Sequence, residues 1–146
     1  MSSAGYSGTP LARKLGIREG DRVAIVGDPG HAVELLEPLP TGVEVGRALS
    51  PAEVVVFFTT ERAELAARVV ALGEAIFPDG ACWVAWPKRA SKVDTDMTED
   101  VVRELALPLG LVDTKVCAVD ETWSGLKLVW RKELRAGRGP APTRTA

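Results

Sequence analysis

The chain has 146 residues, of which 18 are Lys or Arg and 20 are Asp or Glu, with a formal net charge of -2 and 46% hydrophobic residues. A chain of this length buries roughly 70% of its unfolded surface, so it can form a core without disulfides or a structural metal. The composition excludes collagen-like, disulfide-rich and disordered proteins. One His and two widely spaced Cys predict no metal site and leave little material for a Ser/His/Asp triad.

The charge is distributed unevenly along the chain. Residues 1–130 carry 13 basic and 19 acidic side chains, whereas residues 131–146 are basic. A domain that binds duplex nucleic acid usually has a basic face on its folded body, so nucleic-acid binding is disfavoured. No apolar run approaches the ~20 residues that span a bilayer. The first ten residues lack the pattern of a signal peptide, so we expect a cytoplasmic protein that does not associate with membranes.

Strands and helices alternate along the chain. Short apolar or β-branched runs predict strands at 22–27, 43–47, 53–59 and 81–86. Apolar periodicity and turn residues predict helices at 9–16, 28–38, 60–76 and 96–108. The residues predicted as their N-caps include Thr9, Asp28 and Asp96, the last with Glu99 as a capping box.

This alternation predicts an α/β fold: three layers, with a mostly parallel sheet and helices on both faces, as in Rossmann-like proteins. Residues 111–119 and 126–130 flank a turn-rich segment and predict a C-terminal antiparallel strand pair. We expect a flexible N-terminus at 1–8, a single domain at 9–134 and a disordered basic tail at 135–146. Side chains expected in the core or in an interface are Trp83, Trp86, Trp130, Cys82 and Cys117.

In such a sheet, ligands bind beyond the carboxyl ends of the parallel strands. This rule selects residues 27–31, 59–62 and 87–92, and also 120–123 if the fifth strand runs parallel to the others. No catalytic residue stands out. The candidate binding residues in these segments are Gly27, Asp28, His31, Thr60, Lys88, Lys92, Asp120, Glu121 and Trp123.

Segments 27–31 and 87–92 have both functional and structural interpretations. The turn from Gly27 to His31 offers free N–H groups to an anion. Alternatively, Asp28 is only an N-cap and His31 an exposed residue of the first helical turn. Lys88 would hold a carboxylate or a phosphate, or it would form a weak surface pair with Asp120 or Glu121.

The turn at 120–125 is open to the same alternatives. Its carboxylates would serve acid/base chemistry, with Lys88 and Asp120 as the active pair. In the structural alternative, Asp120 caps the turn, Gly125 supplies a positive φ and Trp123 covers a face of the sheet.

Four stretches of the sequence resemble an actinobacterial domain family of unknown function: 6–17, ACWVAWPK at 81–88, 98–111 and KVCAVDETWSGLKLV at 115–129. The resemblance covers residues 5–133. Its most specific signatures are WPK and DETWSGL, and it implies no activity.

A looser resemblance is to class I S-adenosylmethionine-dependent methyltransferases, through GIREGDRVAIVG at 16–27, PDGACWVAW at 78–86 and the closing antiparallel pair. It implies a methyltransferase-like fold, with a glycine-rich loop after the first strand and an acid for the ribose at the end of the second. The sequence departs from both patterns, with GDPG at 27–30 and Val45-Gly46-Arg47, although Glu44 lies nearby. We therefore predict no cofactor, with S-adenosylmethionine as the alternative.

Two functions from different classes follow. The first is a non-catalytic binding or regulatory protein on a methyltransferase-like scaffold, which engages an unidentified protein or an anionic small molecule through Lys88, Asp120 and Trp123. The second is a small enzyme, a reduced methyltransferase or another group-transfer enzyme, that uses the same crevice. The last strand pair and its tryptophans would suit a homodimer surface.

Overall fold

Six strands form one sheet in the computed structural model, which describes residues 9–137. The strands are β1 (Arg22–Val26), β2 (Glu44–Gly46), β3 (Val54–Phe58), β4 (Ala81–Pro87), β5 (Leu111–Ala118) and β6 (Trp123–Trp130). Their order across the sheet is β2-β1-β3-β4-β6-β5. Strands β1 to β4 are parallel, and β6 pairs antiparallel with both β4 and β5. The predicted sheet and its antiparallel C-terminal pair are confirmed.

Helices cover both faces of this sheet, as predicted. They are α1 (Leu11–Lys14), α2 (Ala32–Leu36), α3 (Arg62–Ile76), α4 (Glu99–Ala106) and α5 (Lys132–Gly137). Helices α3 and α4 pack on one face, and α1 and α2 pack on the other. Every residue of β3 and β4 is buried, because central parallel strands are enclosed from both sides.

The tryptophans and cysteines occupy the core or its edge. Trp83 and Trp86 are buried, and the Trp83 indole N–H donates to the Leu15 carbonyl at 3.0 Å. Trp130 is partly buried and donates to the Gly73 carbonyl at 2.9 Å. Burial raises the pKa of the Cys82 thiol to about 12, so the structure gives this thiol a packing role.

None of the three predicted N-cap residues occupies that position. Helix α2 begins at Ala32 after the N-cap His31, so Asp28 lies three residues before the N-cap, although its carboxylate accepts the Ala32 N–H at 3.0 Å. Helix α1 begins after Pro10, without a side-chain cap from Thr9. Helix α4 is capped by Thr98, whose hydroxyl accepts the Val101 N–H at 3.1 Å. Asp96 instead accepts the Arg62 N–H at 2.7 Å. It therefore serves the first residue of α3, because the long connection before α4 folds back across that helix start.

The last turn is shorter than predicted. Strand β6 begins at Trp123, three residues before the predicted Leu126, because it pairs with β4 as far as Pro87. Gly125 therefore lies inside a strand and has no positive φ. A Cβ there would lie 3.3 Å from the Trp83 ring, so a glycine at 125 makes room for that ring.

Two further predictions concern the ends of the chain, the flexible N-terminus at 1–8 and the disordered tail at 135–146. Helix α5 covers residues 135–137, the first part of the predicted tail, and Arg135 Nε donates to the Trp130 carbonyl at 2.8 Å. Residues 1–8 and 138–146 lie outside the described residues. In the described part of the chain, no helix combines the length and apolar character that crossing a bilayer requires.

Candidate functional site

Four loop segments meet at the carboxyl edge of the parallel strands. Strand β5 is antiparallel to β6, which is antiparallel to β4, so β5 ends at the same edge as β4. Residues 120–123 therefore join residues 27–31, 59–62 and 87–92 there. The contact is direct, because the Lys88 N–H donates to the Thr122 carbonyl at 2.7 Å.

Gly27 and Asp28 shape the first of these segments. Gly27 has φ +75°, and a Cβ on it would lie 2.4 Å from the Phe58 carbonyl oxygen, so β1 and β3 approach closely at their ends. The Asp28 carboxylate accepts the N–H groups of Gly30 at 2.7 Å and Ala32 at 3.0 Å. Asp28 therefore takes the donors that an external anion would need at this turn.

Arg47 adds a second contact to the Asp28 carboxylate. Its Nη1 donates to Asp28 Oδ2 at 2.8 Å, and only 11% of the Asp28 side chain is exposed. Burial acts to raise the pKa of Asp28. The N–H donors of Gly30 and Ala32 and the charge of Arg47 together outweigh that burial, and they hold this pKa below its ordinary value.

Arg47 also follows directly after the end of β2. The methyltransferase resemblance implies an acid there for a ribose, and the structure places a guanidinium instead. Glu44 does not replace that acid, because it lies at the opposite end of β2, in register with Arg22. These two positions therefore do not fit the pattern implied for S-adenosylmethionine.

Asp120 lies in the turn between β5 and β6, and both of its carboxylate oxygens accept hydrogen bonds. Its Oδ1 accepts the N–H groups of Thr122 and Trp123, both at 2.8 Å, so the predicted turn cap is present. Its Oδ2 accepts a hydrogen bond of 3.0 Å from His31 Nε2. Burial acts to raise the pKa of Asp120, but these hydrogen bonds outweigh it and keep the pKa below its ordinary value.

The His31–Asp120 bond joins α2 to the turn before β6. The His31 side chain is 47% exposed, as predicted, but the residue is the N-cap of α2 and not part of its first turn. The hydrogen bond to Asp120 holds its ring in place. The sequence analysis selected both residues as candidates but did not predict their contact. They lie 89 residues apart, and no local sequence pattern indicates a contact over that separation.

Lys88 has a fixed backbone and an unpaired side chain. Its carbonyl accepts the N–H of Ser91 at 3.0 Å and the Ser91 hydroxyl at 2.7 Å, and its own N–H binds Thr122. No ion pair among the described residues includes Lys88. The predicted surface pair with Asp120 or Glu121 is therefore wrong, since Asp120 binds His31 and the backbone instead.

Lys88 opens into a cleft of ≈ 730 Å³, here named the Lys88 cleft. It lies on the α1 and α2 face of the sheet. Its charged lining residues are Lys14, Glu37, Lys88, Asp120 and Glu121. Sequence reasoning missed Lys14 and Glu37, because they belong to helical segments outside the strand ends that the ligand rule selects.

The other candidates lie outside this lining. Trp123 packs edge-on against Phe58, with ring centroids 5.1 Å apart, so it covers a sheet face as predicted. The Thr60 carbonyl accepts the Thr95 hydroxyl at 2.7 Å. Lys92 is exposed and has φ +64°. Among residues 9–137, no group of three or more His, Cys, Asp or Glu side chains could hold a metal ion.

Comparison with solved structures identifies similar folds. An S-adenosylmethionine-dependent methyltransferase from Aquifex aeolicus has a TM-score of 0.53 at 14% identity, over 81% of this chain and 86% of that chain. A magnesium protoporphyrin IX methyltransferase from Synechocystis, with bound S-adenosylhomocysteine, gives 0.50 at 11% identity, over 77% and 75%.

A third similar structure is an O-methyltransferase from neocarzinostatin biosynthesis in complex with S-adenosylmethionine, with a TM-score of 0.58 at 13% identity. The alignment covers 88% of this chain and 52% of that one, so the chain spans about half of its length. No family model and no curated protein matches this sequence. At these identities the likeness establishes a methyltransferase-like fold.

Proposed function

We propose that this protein is a non-catalytic binding or regulatory protein on a methyltransferase-like scaffold, and that its ligand is an anionic small molecule held in the Lys88 cleft. The main support for the proposal is that Lys88 has a fixed backbone and an ammonium group without an ion-pair partner among the described residues. Its backbone is bonded on both sides, to Thr122 and Ser91, while none of the ion pairs of the described residues uses its ammonium.

The dimensions and charges of the cleft support a small ligand. Its volume of ≈ 730 Å³ falls within the ~300–1,000 Å³ that is usual for small-molecule sites. Lys14 and Lys88 supply two cations for a carboxylate or a phosphate. Glu37 and Glu121 lie on the same lining, which favours a ligand that also carries hydroxyl or amino donors.

Two observations favour binding over catalysis. Asp120 accepts three hydrogen bonds, from His31, Thr122 and Trp123, and its pKa is lowered. It is therefore a weak proton acceptor at neutral pH. The first turn and the end of β2 also lack the cofactor pattern of the methyltransferases, since Asp28 and Arg47 bind each other.

Thermal unfolding with a ligand panel tests this proposal. The panel contains small mono- and dicarboxylates, sugar phosphates, nucleotides and acyl thioesters, together with S-adenosylmethionine and S-adenosylhomocysteine. A ligand at about 100 times its Kd adds about 2.7 kcal/mol to the free energy of unfolding, which raises Tm by several degrees. We expect a carboxylate or phosphate compound to raise the Tm of the wild type.

Paired variants locate the binding. Lys88→Gln should abolish the shift, and Lys92→Gln should preserve it, because Lys92 is exposed and outside the cleft. A panel without any shift, or a shift unaffected by Lys88→Gln, contradicts the proposal. A shift with the adenosyl compounds followed by methyl transfer would establish the enzyme alternative.

A further inference from the structure

A second group of cations lines an open groove beside α1, here named the basic groove. The groove has a volume of ≈ 1010 Å³, and its charged lining residues are Arg13, Arg18, Lys127 and one acid, Glu19. It adjoins the Lys88 cleft, because Pro10 and Pro38 line both. None of the proposed contacts in the Lys88 cleft involves these cations, so this inference does not rest on the proposed function.

Lys127 is the lysine that lines the groove. It lies in β6, partly buried, directly opposite Lys115 of β5. Like charges in directly opposite positions destabilise a strand pair. Burial lowers the pKa of Lys127, and the charges of Lys115 and Arg18 lower it further. The fold therefore retains a lysine where both desolvation and its neighbours disfavour the charge.

Glu19 lines the same groove, but among the described residues it forms no ion pair with these cations. The ion pairs of residues 9–137 include none of Arg13, Arg18, Lys115 and Lys127. Asp21, three residues after Arg18, uses its carboxylate to accept the Arg18 backbone N–H at 2.8 Å. The absence of partners is notable because residues 1–130 carry more acids than bases.

From this juxtaposition we infer that the basic groove binds a phosphate group carried by a small molecule. The lining cations Arg13, Arg18 and Lys127 match a dianion better than a single carboxylate, and a guanidinium binds phosphate oxygens in a two-point geometry. A phosphate bound there would place a negative charge beside Lys127, which has no ion-pair partner among the described residues. The open groove leaves space for the rest of the molecule.

Titration with inorganic phosphate, followed by amide NMR shifts, tests the inference. A parallel titration uses sodium chloride at matched ionic strength. We expect saturable shifts at residues 13–18 and 115–127 with phosphate alone. Lys127→Gln should weaken phosphate binding at least tenfold. Lys132→Gln, an exposed lysine of α5 outside the groove, should leave it unchanged.

A further variant separates this groove from the neighbouring cleft. Lys88→Gln should leave phosphate affinity at the basic groove intact, whatever it does to the ligands of the Lys88 cleft. Shifts that chloride reproduces, or an unchanged affinity in Lys127→Gln, would overturn the inference. If Lys127→Gln does not fold, Arg18→Gln is read by the same criterion, since Arg18 is exposed.

Discussion

Asp28 determines what the first strand-to-helix turn can bind. In a turn of this kind, free N–H groups ordinarily attract an anion. Here the carboxylate of Asp28 already accepts the donors of Gly30 and Ala32, and it also binds Arg47. The turn therefore contains its own anion, and a ligand that needs those donors must first displace a side chain that is largely buried.

The contacts of Asp28 predict its contribution to stability. Asp28→Ala leaves the N–H groups of Gly30 and Ala32 and the Arg47 guanidinium without this acceptor, and the loss of a side-chain acceptor for backbone N–H groups at a helix start costs about 1–2 kcal/mol. Asp28→Asn should cost less, because its amide oxygen still accepts hydrogen bonds. Urea denaturation of the three proteins measures the difference. An alanine variant as stable as the wild type would show that these contacts do not stabilise the fold.

Gly27 provides a matched test of the close approach between β1 and β3. Gly27 and Gly20 have nearly equal φ, +75° and +78°, but a Cβ at 27 meets the Phe58 carbonyl at 2.4 Å, whereas a Cβ at 20 meets nothing within 4 Å. Gly20→Ala should cost about 1–2 kcal/mol for the left-handed backbone alone. We expect Gly27→Ala to cost clearly more in the same denaturation assay. Equal costs would mean that the two strand ends separate freely.

Between elements, the pair Arg22–Glu53 links β1 to the start of β3. Glu53 accepts the Arg22 N–H at 2.6 Å and two guanidinium N–H groups, at 3.2 and 2.9 Å. The hydrogen bonds from the Arg22 side chain and backbone lower the pKa of Glu53 to about 2, from an ordinary value of 4.5. The folded state therefore holds this proton less tightly than the unfolded chain does.

The lowered pKa of Glu53 determines how the free energy of unfolding changes with pH. The stabilisation by Glu53 is fully present above about pH 4.5, and it is lost as the pH falls toward 2, because the unfolded chain binds the proton first. Unfolding of the wild type and of Glu53→Gln should be compared from pH 7 to pH 2. The advantage of the wild type should shrink within that window. A constant difference at every pH contradicts the prediction.

The sequence predicted most of the strands and helices, but it did not predict which side chains of different elements contact each other. Runs such as Val54–Phe58 are apolar throughout because both faces of a central strand are covered. By contrast, the residue that caps a helix depends on which distant segment of the chain packs beside the helix start. Asp96 carries a capping pattern for α4 and serves α3 instead, since two elements compete for one carboxylate in three dimensions.

For the candidate site, too, the sequence predicted the positions of residues but not their contacts. The rule for strand ends located Lys88 and Asp120 at one edge, because it depends only on strand direction. The rule does not predict which hydrogen-bond partner each side chain has, so the hydrogen bond between Asp120 and His31 was missed. Lys14 was missed for a related reason, because it reaches the cleft from a helix on the sheet face.

At the scale of the molecule, the Lys88 cleft and the basic groove lie side by side on the α1 and α2 face. Pro10 and Pro38 line both, so the two regions share a boundary. A phosphorylated molecule with a second acidic group would contact both regions. Loss of its affinity in either Lys88→Gln or Lys127→Gln, with additive free energies in the double variant, would show independent contributions.

Lys127 connects ligand binding to the stability of the whole fold. Its pKa is lowered, so the folded state disfavours the charged lysine. Replacing this charge with the neutral side chain of Lys127→Gln should therefore raise the free energy of unfolding in phosphate-free buffer at pH 7, as measured by urea denaturation. The advantage of the variant should fade as the pH rises toward and above 10.5, where the wild-type lysine becomes neutral in the unfolded chain as well as in the fold. Phosphate should reverse the order at pH 7, because it stabilises the folded state that binds it. A variant less stable than the wild type without phosphate would show instead that the stem of Lys127 packs favourably enough to outweigh its charge.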